Sequence, residues 1–171
     1  MSEPMPKPGN LILAVVAAAA VTFGGFALWS AKPAAPPVTF VSLKGEKITT
    51  ADLRGRVVLV NFWATDCAIC IKEMPEITAT YNKYRTQGFE TIAVAMKYDP
   101  PNYVLNYAEK SQLPFKVALD PLGELAKAFG DVKLTPTTFI IDRQGRLVTR
   151  ILGKPDFAKL HALLEEKLRE S

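Results

Sequence analysis

Val57-Val58-Leu59-Val60-Asn61-Phe62-Trp63-Ala64 runs directly into Thr65-Asp66-Cys67-Ala68-Ile69-Cys70-Ile71-Lys72-Glu73-Met74-Pro75, and the fold is decided in this stretch. The first eight positions form a nearly continuous apolar run rich in β-branched residues. A central strand covered on both faces reads this way. From Cys67 to about residue 85 the pattern turns helical, and Pro75, which has no N–H, is expected to interrupt and kink that helix. A buried strand feeding a helix therefore carries two cysteines at its joint, and the chain has no others.

That position gives the cysteines their chemistry. The first turn of a helix presents unpaired N–H groups and the positive end of the macrodipole. Both stabilise a thiolate, which is the nucleophilic form of cysteine. Cys67, at the start, is expected to be the more exposed, and Cys70, one turn on, to face inward. The pair can close a disulfide across the turn and reopen it. In the forward direction Cys67 attacks a disulfide of another protein, and Cys70 then displaces that protein from the mixed disulfide. The reverse direction is equally open to the motif. A purely structural bridge is disfavoured because so short a loop gains little chain-entropy stabilisation. One histidine and two cysteines exclude a closed four-ligand Cys/His zinc site. No metal and no cofactor beyond the redox-active Cys67–Cys70 disulfide is expected.

Outward from the motif, strands and helices alternate. Residues 38–43 and 47–49 read as a short hairpin about Lys44-Gly45-Glu46. Residues 89–96 and 116–119 read as strands with a helix, 102–112, between them. Asp120-Pro121 reads as an N-cap and first helical position, opening a helix to Phe129. Residues 137–141 and 146–152 form a hairpin about Asp142-Arg143-Gln144-Gly145. Residues 156–170 form a last helix with Phe157, Leu160, Leu164 and Leu168 on one side. This order implies an α/β sheet flanked by helices.

The amino-terminal part is a different material. No charged residue lies between Lys7 and Lys32, and from Leu11 to Trp29 a helix would span about 28 Å, close to the thickness of a bilayer core. Trp29 stands where an interfacial aromatic belongs. Residues 11–31 are read as a transmembrane anchor, 1–10 as a cytoplasmic terminus, 32–37 as a Pro/Ala linker and 38–171 as the folded domain. Gly25 and Ala27 make a poor signal-cleavage pattern, so an uncleaved anchor is favoured over a signal peptide. The domain is expected on the outer side of a bacterial inner membrane, facing the periplasm. The whole chain, 171 residues with 49% hydrophobic and 22% charged residues, is too apolar to be disordered. Its net charge of +4 is dispersed and does not suggest nucleic-acid binding.

Residues 61–75 resemble the active-site segment of thioredoxin-like proteins. They resemble more narrowly the membrane-anchored TlpA/ResA-like disulfide reductases, which include the cytochrome c maturation thioredoxins. Trp63 before the first cysteine, the Lys72-to-Pro75 run after the second, and Thr135-Pro136-Thr137-Thr138-Phe139-Ile140-Ile141-Asp142-Arg143-Gln144-Gly145 all match; the likeness covers about residues 38–169. The resemblance implies a thioredoxin-like fold with a central mixed sheet, an N-terminal β-hairpin and a central insertion. It implies that Pro136 is a cis-proline packed on the cysteine pair. Thr135 would offer its backbone to an extended substrate segment. Glu73 would relay a proton from Cys70, and Trp63 would shield the site. The implied partners are proteins with disulfides, such as an apocytochrome c haem site or a copper-site assembly protein, and a membrane thiol carrier as electron donor.

Several residues depart from the family pattern. Asp66 stands where many relatives have tryptophan, and a carboxylate there disfavours the Cys67 thiolate. Ala68-Ile69 lacks the usual proline. Asn61 replaces the buried acid of ordinary thioredoxins, which moves any acid–base role to Glu73. Residues 130–134 are one residue longer than common. The alternatives weighed are an oxidase or isomerase of the same fold, a peroxiredoxin-like peroxidase and a copper(I) chaperone. For the peroxidase, the Thr65-to-Cys67 spacing is short and no arginine partner is evident. For the chaperone, His161 is poorly placed, and it reads instead as structural.

Overall fold

The computed structural model describes residues 33–170. Strand β3 (Val57–Trp63) is buried along its whole length. It lies in the middle of a five-stranded sheet of order β5-β4-β3-β6-β7. It pairs in parallel with β4 (Phe89–Ala95), which pairs in parallel with β5 (Lys116–Leu119). On its other side it pairs antiparallel with β6 (Thr137–Ile141), which is followed by antiparallel β7 (Leu147–Leu152). The sheet is therefore mixed, as expected. A two-stranded hairpin, β1 (Thr39–Val41) and β2 (Lys47–Thr49), stands before it. The hairpin reaches the β5 edge, where Leu43 N–H donates to the Val117 carbonyl at 2.9 Å.

Pleating divides the core. Val58, Val60 and Phe62 face one side of the sheet, where they meet Phe40, Phe129 and Phe139 from the hairpin, helix α3 (Glu124–Ala128) and its flank, and β6. Val57, Leu59, Asn61 and Trp63 alternate to the other side. That side is covered by α1 (Ala68–Tyr84), α2 (Pro101–Lys110) and α4 (Phe157–Arg169), through Cys70, Met74, Ile77, Val104, Leu160 and Leu164.

Two element expectations are corrected. Helix α1 is one helix from Ala68 to Tyr84 and runs through Pro75. The ring loses one backbone bond, but buried residues on both sides of it, Cys70 and Met74 before and Ile77 and Tyr84 after, hold the helix to the sheet. Helix α3 starts at Glu124, later than Asp120-Pro121 suggested. Gly123, at φ 74°, turns the chain into the helix. Asp120 still caps it from a distance, accepting from the N–H groups of Leu125 (3.0 Å) and Ala126 (2.9 Å).

The stretch read as a linker makes regular contacts here. Leu147 N–H donates to the Pro33 carbonyl at 2.8 Å, and Ala35 N–H to the Gly145 carbonyl at 2.8 Å. The expected anchor at 11–31 lies outside the described residues. Among those described, no helix is long and apolar enough to cross a membrane.

Candidate active site

Strand β3 delivers the site. Its last residue, Trp63, is fully buried and stacks at a tilt on Tyr107 of α2, with ring centroids 5.3 Å apart. The loop that follows is clamped by Asp99, a buried carboxylate beyond β4. Thr65 donates to it twice, from its N–H at 2.7 Å and from its hydroxyl at 2.5 Å. This clamp fixes where the chain turns into α1. Asp99 was visible in the sequence only as part of Asp99-Pro100-Pro101, and nothing there marks its partner.

Cys67 is the N-cap of α1, and its Sγ accepts the N–H of Cys70 at 3.2 Å. The sulfur thus occupies the position that a capping oxygen usually takes. It receives the hydrogen bond expected to stabilise a thiolate. Cys67 is half-buried and Cys70 fully buried. The two form a disulfide with Cα atoms 5.2 Å apart. Helix α1 has no acidic residue in its first turn. Asp66, just outside it, is exposed, as is Ile69 between the cysteines.

The cis-peptide loop lies alongside. The Thr135–Pro136 bond is cis. Strand β6 starts at the next residue, and its register pairs Thr137 with Phe62. Pro136 therefore precedes β6 at the strand end from which the cysteine loop departs. Pro136 is buried and Thr135 half-buried. The Tyr98 hydroxyl lies 3.4 Å from Thr135 Oγ1, and Tyr98 and Leu134 are both exposed. Tyr98 and Leu134 thus present exposed apolar and aromatic surface beside Thr135.

Beneath Cys70 is a buried polar group. Glu73 lies one turn further along the same face of α1 and has no solvent exposure. Its Oε1 accepts from Asn61 Nδ2 at 3.0 Å, and the same nitrogen donates to Thr138 Oγ1 at 3.0 Å. Burial pushes the Glu73 carboxyl up to about 7, against the opposing pull of the Asn61 hydrogen bond and the Lys154 charge. That environment is not the one of a solvated helix glutamate. Asn61 was noted in the sequence only for the acid it replaces. A single amide inside a buried apolar strand was the available signal for this cluster.

His161 is engaged elsewhere. Its Nε2 is 2.9 Å from Thr80 Oγ1 and its ring packs edge-on against Tyr84. Among the described residues no group of three or more His, Cys, Asp or Glu side chains gathers as metal ligands.

The redoxin family model matches residues 30–164. The thiol-disulfide oxidoreductase ResA of Bacillus thuringiensis is 36% identical over 132 residues, covering 77% of this chain and 75% of that protein. A solution structure of a Neisseria meningitidis protein assigned as a thioredoxin superposes with a TM-score of 0.76 at 35% identity, covering 82% of this chain and 93% of that one. A thiol:disulfide interchange protein of the thioredoxin family from Chlorobium tepidum superposes with a TM-score of 0.74 at 26% identity, covering 81% and 98%.

Proposed function

The chain belongs to the redoxin family and, within it, to the ResA-like thiol–disulfide oxidoreductases, and on that premise we propose that it works as a reductase of protein disulfides. The observation that carries the direction is the exposed carboxylate of Asp66, next to Cys67 and outside the helix. Negative charge near a sulfur disfavours its thiolate. The reduced state is the one that carries thiolates, so Asp66 favours the disulfide and makes the dithiol the stronger electron donor. Oxidants of this fold are built the opposite way, by stabilising the reduced form.

The reaction proceeds in two displacements. The Cys67 thiolate attacks one sulfur of a substrate disulfide, forming a mixed disulfide and releasing the other substrate sulfur as a thiolate. Cys70 then gives its proton to Glu73 and attacks Cys67 Sγ. The second substrate thiolate leaves, and Cys67–Cys70 becomes the disulfide. Two electrons pass to the substrate, whose thiolates take up protons from solvent and from Glu73. A carboxyl titrating near 7 accepts and returns that proton at little cost near neutral pH. Thr135 and Pro136 bind the extended substrate segment beside Cys67, and Trp63 closes the apolar floor.

On this reading residues 11–31 anchor the domain on the outer side of a bacterial inner membrane. A membrane thiol carrier resupplies electrons there, because that compartment oxidises free dithiols. The charge-free length of that stretch and Trp29 at its end support the anchor. The haem-site disulfide of an apocytochrome c, or a copper-site assembly protein, is the proposed substrate.

Equilibration of the full chain with glutathione and dithiothreitol buffers tests the direction. A potential below about −230 mV, the reducing end of the glutaredoxin range, is expected; one near the −120 mV or so of a strong oxidant refutes it. Replacing Cys70 with Ser in cells should hold substrates on Cys67 as mixed disulfides recovered with the membrane fraction.

A further inference from the structure

Asn61 is the polar residue of an otherwise apolar strand, fully buried and in register with Thr138 of β6. Its amide nitrogen serves both neighbours, Glu73 Oε1 and Thr138 Oγ1, each at 3.0 Å. Its carbonyl oxygen, Oδ1, is buried with no hydrogen-bond partner, and so is Glu73 Oε2. An unpaired buried oxygen is costly, so the amide is held in this orientation for what its N–H groups do. A carboxylate only accepts, so while Glu73 is charged the NH2 must face it. The Thr138 hydroxyl takes the second N–H and tethers the amide to the neighbouring strand; a hydroxyl can serve either amide atom, so the Glu73 carboxylate sets the orientation.

This arrangement makes the two oxygens of Glu73 unequal. Oε1 is committed as an acceptor. A proton arriving at the carboxyl therefore goes to Oε2, which has no competing partner. Cys70 lies one turn back along the same buried helix face.

We propose that Asn61, tethered to Thr138, is the positioning residue of the redox site: it engages Glu73 Oε1 and so assigns the exchangeable proton to Oε2. This rests on the reading of Glu73 as the acid–base group. It adds a residue pair on the sheet that selects which carboxyl oxygen works and tunes when it ionises. The charged groups that bear on Glu73 from other elements are Lys154, between β7 and α4, and Glu76 on α1. These two pair with each other at 2.6 Å and act on Glu73 in opposite directions. The sheet contributes no charge to the contact, only Asn61 and Thr138. In the oxidised protein the cysteines do not titrate, which leaves Glu73 to be read alone.

The test is a carboxyl-carbon NMR titration of the oxidised full chain, with the Glu73 signal assigned by its loss in Glu73→Gln. The wild-type midpoint is expected near 7. Asn61→Leu, which keeps the branched shape and removes the donor, should raise it by about one to two pH units, the effect of one hydrogen bond to the charged form. Thr138→Val removes the second contact that holds the amide in place and should raise the midpoint by a smaller step; it carries the test should Asn61→Leu not fold. A purely structural Asn61 would change the melting temperature and leave the midpoint in place. A wild-type midpoint near 7 that neither variant moves overturns this proposal and leaves the acid–base reading of Glu73 standing. A wild-type midpoint near 4.5 overturns both.

Discussion

Glu73 should make the folded protein less stable as pH rises, and the size of the effect follows from its position. The carboxyl is fully buried and titrates near 7 in the folded state, against an ordinary value of 4.5. Below 4.5 both folded and unfolded chains hold the proton, and the group costs nothing. Between 4.5 and 7 the unfolded chain loses its proton while the folded chain keeps it. The folded state then binds more protons, so stability falls with rising pH. Above 7 both states are ionised and the loss is complete. At about 1.4 kcal/mol per unit over the interval, the loss is about 3 kcal/mol.

The assay is urea unfolding of the oxidised protein at steps from pH 4.5 to 8.5, compared with Glu73→Gln. Glutamine keeps an acceptor for Asn61 and does not titrate. His161 works in the opposite direction. Its value is lowered by burial and by the Lys83 charge, so it adds stability as pH rises through its own range. Both proteins contain His161, and their difference removes it. The wild type should lose about 3 kcal/mol relative to the variant across the interval, a midpoint shift of about 1–3 M urea for a domain of this size. Parallel curves for the two proteins would refute the claim that a buried acid is kept protonated beneath the disulfide.

Three further outcomes test other parts of the structure. Asp99→Ala strands the Thr65 N–H and hydroxyl that now donate to the carboxylate; it should cost about 2–4 kcal/mol in thermal or urea unfolding and slow thiol exchange at Cys67. Phe129→Ala empties an aromatic cluster in which Phe129 lies 5.1 Å from Phe139 and 5.4 Å from Phe62, centroid to centroid; a loss of about 3–5 kcal/mol is expected, with the redox potential unchanged. Asp66→Asn removes the exposed carboxylate beside Cys67, so the potential should become less reducing. That shift should be smaller in high salt, because an exposed charge is screened.

Much of the domain was legible because its signals are local. The apolar run at 57–64, the turn at 142–145 and the amphipathic pattern of the last helix each specify an element on their own. They emerge as β3, the β6–β7 turn and α4. The helix after Cys67 was legible in extent but not in continuity. The local rule for Pro75 predicts a break, and burial on both sides of it, a tertiary effect, overrides that rule. The start of α3 failed for a related reason. Asp120 and Pro121 carry the local signal for a helix start, but Gly123 makes the turn, and Asp120 caps over a longer chain distance than the usual N-cap. Of the site, the two cysteines and the loop at Pro136 were legible as motifs. The Thr65–Asp99 clamp joins residues 34 positions apart, and Asn61 meets Thr138 across 77. Such pairings are set by sheet order and register, which no single window of sequence contains.

The same geometry suits the division of labour proposed for two cysteines one helical turn apart. As the N-cap, Cys67 stands where the backbone offers an N–H and the helix offers its positive end, and its sulfur is half-open to a partner. That suits the sulfur that must attack first. Cys70 lies inside, without exposure, on the face that also carries Glu73. A thiolate there would be costly without a group to take its proton as it attacks. A permanently charged acid would oppose that thiolate, and a permanently neutral one could not accept the proton. A carboxyl held near 7 is free to do either as the reaction requires. Burial alone would push it higher, and the Asn61 amide holds it back. On the proposed mechanism, the polar exception in β3 therefore belongs to the chemistry of Cys70 as much as to the packing of the sheet.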